Sequence, residues 1–381
     1  MTRHFAAWIR YGSSPIGDAE VSFALEHFRV AVLQPWETGI AARLKEDRPD
    51  MTVLAYKCLS STRSYESGPV RTSGLGFAEA EDLGEHLFAH RDASAGGGRI
   101  EWRGYPGHWQ MAVWDEKYRR RWCENVVAEI AAGPFDGVMA DNDVYDDYYG
   151  LLPLEDGHDL GSIRAALERL VSAAGEALAE VGRILVPNIA ESRREEGRWA
   201  RHARFGGGFE EVWLGTAPDE PFDVPTCLAT MPELTGPGLS IMRAPAAGPG
   251  DRGAYLLALA AAWVFSGGAD VAVTATSHDG YDALPFWPEA DWDLGEPVTG
   301  IEGGLGCWWR EFADGYAAVN LTTTHHVDLT LPEGFVGPTG NSALQLHPRQ
   351  GLVLQRWAVR GRNGQGGQGP GATPCPRPRR R

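Results

Sequence analysis

Cysteine is scarce in this chain, and its spacing suits neither disulfides nor metal binding. Five cysteines occur in 381 residues, and no two of them form a CxxC pair. An odd number of scattered cysteines argues against a disulfide framework, and the missing pairs argue against a zinc site. The sequence therefore predicts a fold held by its apolar core, and we expect neither a metal nor an organic cofactor.

Positive charge is also in short supply. The chain has 35 Lys and Arg residues against 51 Asp and Glu residues, a formal net charge of −16. Nucleic-acid affinity depends on basic side chains that neutralise phosphates, so this balance argues against a nucleic-acid partner. The only concentrated basic run, PRPRRR, ends a Gly-, Gln- and Pro-rich tail at 360–381. Such a composition predicts disorder.

Long apolar runs are absent as well. A transmembrane helix needs about 20 consecutive apolar residues, and the best run, 256–265, is far shorter. The N-terminal segment MTRHFAAWIRYGSSP also lacks the apolar core of a signal peptide. We therefore expect no membrane partner and a cytoplasmic location, or secretion if a leader precedes the sequence given.

Eight short runs rich in Val, Ile and aromatic residues recur along the chain, and most are followed by a helical pattern. This alternation is typical of βα units around a parallel sheet. Eight such units favour a closed (β/α)8 TIM barrel over an open doubly wound sheet. The predicted strands are 5–12, 28–36, 51–58, 135–142, 183–192, 209–215, 239–245 and 269–277.

The pattern changes to period two after residue 277, and the Asp314-Gly315 pair between alternating runs is a hairpin signal. The predicted α/β architecture is therefore a barrel at 1–304 followed by a small antiparallel β-sandwich at 305–359. Two helices are clear in the sequence, at 115–132 and 162–182. The long Gly-rich connection 59–108 is expected to be a functional loop over the site.

Carboxylates cluster at the fourth and sixth predicted strands, in DND at 141–143 and in GGFEE at 207–211. In a TIM barrel the active site lies at the C-terminal ends of the strands, where side chains from different strands converge. Asp141 and Glu211 are therefore expected to face one cavity. Glycosidic cleavage needs such a pair, one carboxyl to protonate the leaving oxygen and another to attack the sugar or activate water.

Other polar and aromatic residues near the strand ends are candidates for substrate binding. The acidic chain suits a neutral or cationic substrate, and aromatic rings can stack on a pyranose face, so we expect an oligosaccharide or a glycoside. The candidate substrate-binding residues are Arg10, Tyr11, Gln34, Trp36, Lys57, Asn142, Asp143, Asn188, Glu210, Trp213 and His278.

The segments FDGVMADN, GGFEEVW and WDLGEPVTG…WWREFADGYAAVNLT resemble the GHL series of glycoside hydrolase families, most of all hypothetical glycosyl hydrolase family fifteen. These barrels are considered relatives of α-galactosidase-type and polygalactosaminidase-type enzymes. The resemblance covers about 5–359 and implies a retaining enzyme with Asp141 as nucleophile and Glu211 as general acid/base. Pleat parity decides between Glu211 and the adjacent Glu210.

Two other functions remain open at the level of the sequence. One is a non-catalytic barrel whose acids only hydrogen-bond sugar hydroxyls. The other is a nucleotide-sugar glycosyltransferase in which Asp141 and Asp143 hold a divalent cation. The distance between the carboxyl groups distinguishes a glycosidase from a non-catalytic barrel. Paired-acid catalysis is excluded if no two carboxyl groups lie within about 10 Å of each other across a cavity.

Overall fold

A computed structural model describes residues 5–356, so the tail predicted to be disordered, 360–381, lies outside the described residues. Eight parallel strands form one sheet in sequence order, and a parallel bridge between Ala6 and Val273 joins the first strand to the last. The strands are β1 (Ala7–Arg10), β2 (Val30–Leu33), β3 (Thr52–Cys58), β4 (Gly137–Asp143), β5 (Ile184–Ile189), β6 (Gly207–Glu210), β7 (Leu239–Pro245) and β8 (Val271–Thr276). Each lies within or overlaps a predicted strand, and the predicted TIM barrel is confirmed.

Helices follow most of the strands and cover the outside of the barrel. They are α1 (Asp18–His27), α2 (Thr38–Asp47), α3 (Phe77–Leu83), α4 (Glu116–Ala132), α5 (Leu160–Glu180), α6 (Arg198–Ala203), α7 (Val224–Thr230) and α8 (Arg252–Ser266). Asp115 caps α4, as its position in the sequence indicates. The α5 helix begins earlier than predicted, because Asp159 is the N-cap and Ser162 completes a capping box with it. None of the helices between residues 5 and 356 is both long and apolar enough to span a membrane.

Alternate residues of the barrel strands fill its interior. Ile9, Val32, Leu54, Met139 and Phe209 belong to one buried cluster, while the residues between them pack outward into the larger core beneath the helices. Successive side chains of a strand point to opposite faces, so the same alternation decides which side chains at the strand ends reach the cavity above the barrel.

The connection between β3 and β4 is a folded excursion, 59–113, and we use this name for it below. A short antiparallel pair, Ser61–Arg63 with His108–Gln110, anchors it, and α3 lies between these two strands in sequence. An antiparallel bridge between Arg91 and Leu154 fastens it to the segment that follows β4. The long connection is therefore an ordered structure beside the strand ends.

The C-terminal part is antiparallel. A four-stranded sheet contains β9 (Glu302–Gly304), β10 (Cys307–Glu311), β11 (Gly315–Asn320) and β14 (Gln350–Gln355), while β12 (Val327–Thr330) pairs with β13 (Ala343–Leu346). A small core of its own lies between the two sheets, and it includes Tyr316, Leu329, Leu346 and Leu352. The predicted β-sandwich and its hairpin at Asp314-Gly315 are confirmed.

A buried ion network occupies the end of β4 and corrects one prediction. Asn142 has a φ of 68°, and the pairing of β4 with β5 shifts register between Ala140 and Asp143. This irregularity turns Asp143 away from the cavity and toward α6. There its carboxylate binds Arg198 at 3.0 Å and His202 at 2.5 Å. Burial raises the pKa of Asp143, but the charges of His202 and Arg198 outweigh it and hold the pKa below its usual range. Asp143 therefore fastens α6 to the barrel.

We predict that Asp143→Ala destabilises the protein by about 3–5 kcal/mol, because it leaves the buried Arg198 without its carboxylate. Urea denaturation followed by circular dichroism measures this loss. The control is Asp82→Ala, which removes an exposed carboxylate from α3 and should change stability by no more than about 0.5 kcal/mol. Equal stability of the two variants would show that the network does not stabilise the fold.

Candidate active site

A cavity of about 610 Å³ lies at the C-terminal ends of the barrel strands. Its volume is within the range of about 300–1,000 Å³ that is usual for small-molecule sites. The strand ends, the excursion, and the segments that follow β4, β5, β6 and β8 line it. The lining residues used below are Tyr11, Gln34, Tyr56, Arg63, Trp102, Tyr105, His108, Asp141, Asn142, Tyr148, Tyr149, Asn188, Glu191, Arg193, Glu210, Glu211, Arg243, His278, Asp279 and Tyr281.

Asp141 is held by hydrogen bonds to both of its carboxylate oxygens. Its Oδ1 accepts from the backbone N–H of Asn142 at 2.9 Å and from Nδ2 of Asn188 at 2.8 Å. Its Oδ2 accepts from the Tyr56 hydroxyl at 2.7 Å and from Nδ2 of Asn142 at 2.9 Å. Because every donor is fixed on β3, β4 or β5, the carboxylate is confined to one orientation.

Glu211 follows β6 directly and continues the inward alternation of Phe209. Its Oε2 accepts from Nδ2 of Asn188 at 2.9 Å, and its Oε1 accepts from the Tyr281 hydroxyl. The same Asn188 nitrogen therefore donates to both Glu211 and Asp141. The two carboxylates converge on one point in the cavity, as the spacing of the fourth and sixth strands predicts.

Electrostatics couple these two acids. Burial raises the pKa of Asp141, and the charge of Glu211 raises it further. Hydrogen bonds from Tyr56, Asn188 and the Asn142 backbone lower the pKa, but the net shift is upward. Two like charges at this separation disfavour each other, so a proton on either carboxyl relieves the other.

Tyrosine hydroxyls surround the two acids and remain protonated. Burial raises the pKa values of Tyr11, Tyr56 and Tyr281 well above their usual range, and the charges of nearby carboxylates add to it. A protonated phenol has one hydrogen to donate. These phenols therefore keep their protons, and remain hydrogen-bond donors, in neutral and acidic solution.

Glu210 lies beside the pair but in a different environment. It is fully buried, its Oε1 accepts from the backbone N–H of Val212 at 2.9 Å, and it has no bond to Asn188. Burial raises its pKa, and the bond from Val212 and the charge of Arg193 lower it only in part. Pleat parity and the Asn188 bond both favour Glu211 as the partner of Asp141.

The cavity brings together most of the residues predicted from the sequence. Gln34 donates to the carbonyl of Tyr11 at 2.5 Å, which ties the ends of β1 and β2 together. His278 is exposed at the mouth, next to the hydroxyl of Tyr105 at 3.5 Å. The predicted residues that line the cavity are Tyr11, Gln34, Asp141, Asn142, Asn188, Glu210, Glu211 and His278.

Arg10 and Lys57 are predicted substrate-binding residues that lie elsewhere. Both have the outward parity of their strands, because Ile9 and Tyr56 are the residues that face inward. Arg10 binds Glu20 at 2.7 Å, and the buried Lys57 binds Glu129 at 2.7 Å. The prediction that both side chains face the cavity is therefore wrong, because each lies on the outer face of its strand.

Trp36, Trp213 and Asp143 also lie outside the cavity lining. Trp36 is in the turn after β2 and is 48% exposed, so its ring is on the surface. Trp213 is completely buried in the outer core, since the chain has already left β6 at that point. Asp143 is turned toward α6, as described above. The structure therefore places neither tryptophan as a sugar-stacking platform in the cavity.

Several lining residues were not predicted. The excursion contributes Arg63, Trp102, Tyr105 and His108, which agrees with its expected position over the site. Trp102 stacks on Tyr149 at 3.8 Å with nearly parallel rings. Tyr56 could have been identified, because it lies two residues after the inward-facing Leu54 on the same strand. The residues of the excursion follow no periodic pattern that would identify them. Arg243 and Tyr281 complete the lining from β7 and from the segment after β8.

The family model of hypothetical glycosyl hydrolase family 15 matches residues 45–316, which is more than half of the chain. The chain belongs to this family. The resemblance found in the three sequence segments is thereby confirmed, and membership places the protein among the glycoside hydrolases. A search of curated proteins found no match.

Solved structures of glycoside hydrolases are similar to this family member in fold. The cycloalternan-degrading enzyme from Trueperella pyogenes has a TM-score of 0.50 at 12% identity, over 93% of this chain and 62% of that chain. A Nostoc punctiforme debranching enzyme has a TM-score of 0.49 at 11% identity, over 93% and 98%. Aspergillus fumigatus Ega3, in complex with galactosamine, has 0.43 at 12%, over 74% and 94%. At such identities only the first comparison bears on the fold, and none bears on the substrate.

The described residues do not favour a metal site at the acidic cluster. Among residues 5–356, no group of three or more His, Cys, Asp or Glu side chains is arranged to hold a metal ion. Asp141 and Asp143 face opposite sides of β4, and Asp143 is already bonded to Arg198 and His202. The two carboxylates are therefore not placed to chelate one cation together.

We predict that Asn188→Ala raises the pKa of Asp141 further, because the amide donates to the ionised carboxylate. Titration of the Asp141 carboxyl carbon by NMR measures the shift. Turnover should fall by about 10²-fold, since both acids lose a shared fixed donor. Asn125→Ala is the control, because Asn125 binds Gly74 and Glu79 beside α3 and lies outside the cavity lining. An unchanged titration in Asn188→Ala would refute the role of the amide.

Proposed function

We propose that this glycoside hydrolase cleaves an O-glycosidic bond with retention of configuration, using Asp141 as nucleophile and Glu211 as general acid/base. The observation that carries the proposal is the shared hydrogen bond of Asn188 to the two carboxylates, at 2.8 and 2.9 Å. The bonded oxygens lie no farther apart than the sum of these distances. That sum is below the separation of about 6.5–9.5 Å typical of inverting enzymes and is compatible with the about 5–5.5 Å of retaining ones.

The chemistry has two balanced steps. In the first, Asp141 attacks the anomeric carbon while Glu211 gives its proton to the leaving oxygen, so the glycosidic bond breaks and a glycosyl ester forms. In the second, the Glu211 carboxylate takes a proton from water, whose oxygen attacks the anomeric carbon and releases Asp141. Each turnover returns both carboxyls to their initial protonation states.

The environment of Asp141 suits a nucleophile. Four hydrogen bonds stabilise its ionised form, while the nearby charge of Glu211 opposes that form. A proton on Glu211 removes this repulsion and leaves the four hydrogen bonds to stabilise the Asp141 carboxylate. This is the state that the first step requires.

The lining supports a carbohydrate as substrate. Tyr148 is 43% exposed, and its hydroxyl donates to Glu191 at 2.9 Å, which fixes the ring at the edge of the cavity. Tyr105 lies on the excursion side of the same cavity. Aromatic rings beside hydrogen-bonding groups suit the apolar face and the hydroxyls of a sugar, and the volume of about 610 Å³ suits a small oligosaccharide or glycoside.

A panel of chromogenic and oligosaccharide glycosides tests the proposal on three variants. We predict that Asp141→Asn abolishes turnover and that Glu211→Gln lowers kcat by about 10²–10⁴-fold. With a dinitrophenyl leaving group, which needs no protonation, Glu211→Gln should recover its glycosylation step. Glu210→Gln should retain more activity than Glu211→Gln, because Glu210 does not contact Asn188.

The control for these variants is Asp82→Asn, which neutralises one exposed carboxylate on α3. It should leave turnover unchanged, and thermal unfolding should show that all variants keep their fold. Full activity of Asp141→Asn would refute the nucleophile assignment. A larger loss in Glu210→Gln than in Glu211→Gln would transfer the acid/base role to Glu210.

A further inference from the structure

Arg63 and Tyr56 form a directed chain of hydrogen bonds that ends on Asp141. Arg63 Nη2 donates to the Tyr56 hydroxyl at 3.1 Å, and that hydroxyl donates to Asp141 Oδ2 at 2.7 Å. A guanidinium has only donors, so the Tyr56 oxygen must accept from it. The single phenolic proton then remains for Asp141, and the direction of the chain is fixed.

The position of Arg63 is itself fixed by the excursion. Arg63 ends the strand Ser61–Arg63, its side chain is 12% exposed, and its guanidinium lies 5.4 Å from the centre of the Tyr56 ring. Nη1 lies 3.4 Å from Glu66, which in turn accepts from the backbone N–H of Thr72 at 3.2 Å. A side chain held in this way keeps its place before any substrate arrives.

Arg63 also supplies positive charge on the Tyr56 side of Asp141. Titratable groups whose charges act on Asp141, or on which its charge acts, include Glu211, Tyr11, Tyr56, Tyr105, Tyr149 and Cys58. Arg193 and Arg243 also line the cavity, and Arg243 donates to the backbone carbonyl of Glu211 at 3.0 Å. Burial raises the pKa values of Tyr56 and Cys58, and the Arg63 charge opposes the rise at both. Its charge therefore reaches the immediate neighbours of Asp141.

We propose that Arg63 is a positioning residue, which fixes the Tyr56 hydroxyl as a donor to Asp141 and thereby keeps this carboxylate oriented and ionised. The inference rests on the proposed function, since it treats Asp141 as the nucleophile. It gives the excursion a second role beyond lining the cavity. Through Arg63, the excursion would control the ionisation of Asp141, while the barrel strands control its position.

The test is a cycle of Arg63→Gln, Tyr56→Phe and the double variant, measured as pH profiles of kcat/KM. Arg63→Gln should move the acid limb to higher pH by ~0.5–1 unit, because a nearby opposite charge favours the ionised carboxylate. Tyr56→Phe should move it in the same direction. The double variant should match Tyr56→Phe, because Arg63 acts through Tyr56, and Arg63→Lys should restore part of the wild-type profile by restoring the charge.

The control is Arg120→Gln, which removes one positive charge from the exposed side of α4, where Arg120 lies 3.9 Å from Glu124. Its profile should match the wild type. An Arg63→Gln effect that stays undiminished in the Tyr56→Phe background would overturn the proposal. So would a change confined to KM, which would mean that Arg63 binds substrate directly.

A second readout does not depend on turnover. The Asp141 carboxyl carbon, assigned by its loss in Asp141→Asn, is titrated by NMR in the wild type, Arg63→Gln and Arg63→Lys. The proposal predicts a higher midpoint in Arg63→Gln and an intermediate one in Arg63→Lys. Equal midpoints in the wild type and Arg63→Gln would refute it. A shifted midpoint without turnover on any glycoside would support the hydrogen-bond chain and contradict the proposed function instead.

Discussion

The hydrogen bonds from one amide group, Asn188, to two carboxylates are the interaction on which the site depends. Asp141 and Glu211 repel each other when both are ionised, and the shared donor holds one oxygen of each close to the other. Asn188 lies on β5, between the strands that carry the two acids, so its amide reaches both. The register of these three adjacent strands therefore sets the distance between the carboxyl groups of Asp141 and Glu211.

The barrel and the excursion make different contributions. Closed parallel strands fix the backbone positions from which Asp141, Asn188 and Glu211 project, because every strand is bonded on both sides. The excursion adds a further cation and further aromatic side chains to the cavity, including Arg63 and Trp102. A fold shared by many glycosidases is adapted in this way through one connection, as is usual for TIM barrels.

Regular alternation decided how much of the molecule was predictable from the sequence. All eight strands were found because buried strands have a clear apolar pattern, although the sixth, predicted at 209–215, lies at Gly207–Glu210. Arg10 and Lys57 were misplaced because each lies one pleat position from an inward residue. Asp143 was misplaced because the positive φ of Asn142 breaks the alternation, and a backbone irregularity of this kind leaves no pattern in the sequence. Arg63 was missed because the excursion has no periodicity at all.

The stereochemical outcome of the first turnover tests the central claim most directly, because it reports on the covalent role of Asp141 and not merely on its importance. Proton NMR of the anomeric signal, recorded before mutarotation, distinguishes the two outcomes for any glycoside that the enzyme cleaves. The account predicts that the product first appears with the configuration of the substrate, since two displacements occur at the same carbon. A first product of inverted configuration would contradict the assignment of Asp141 as nucleophile.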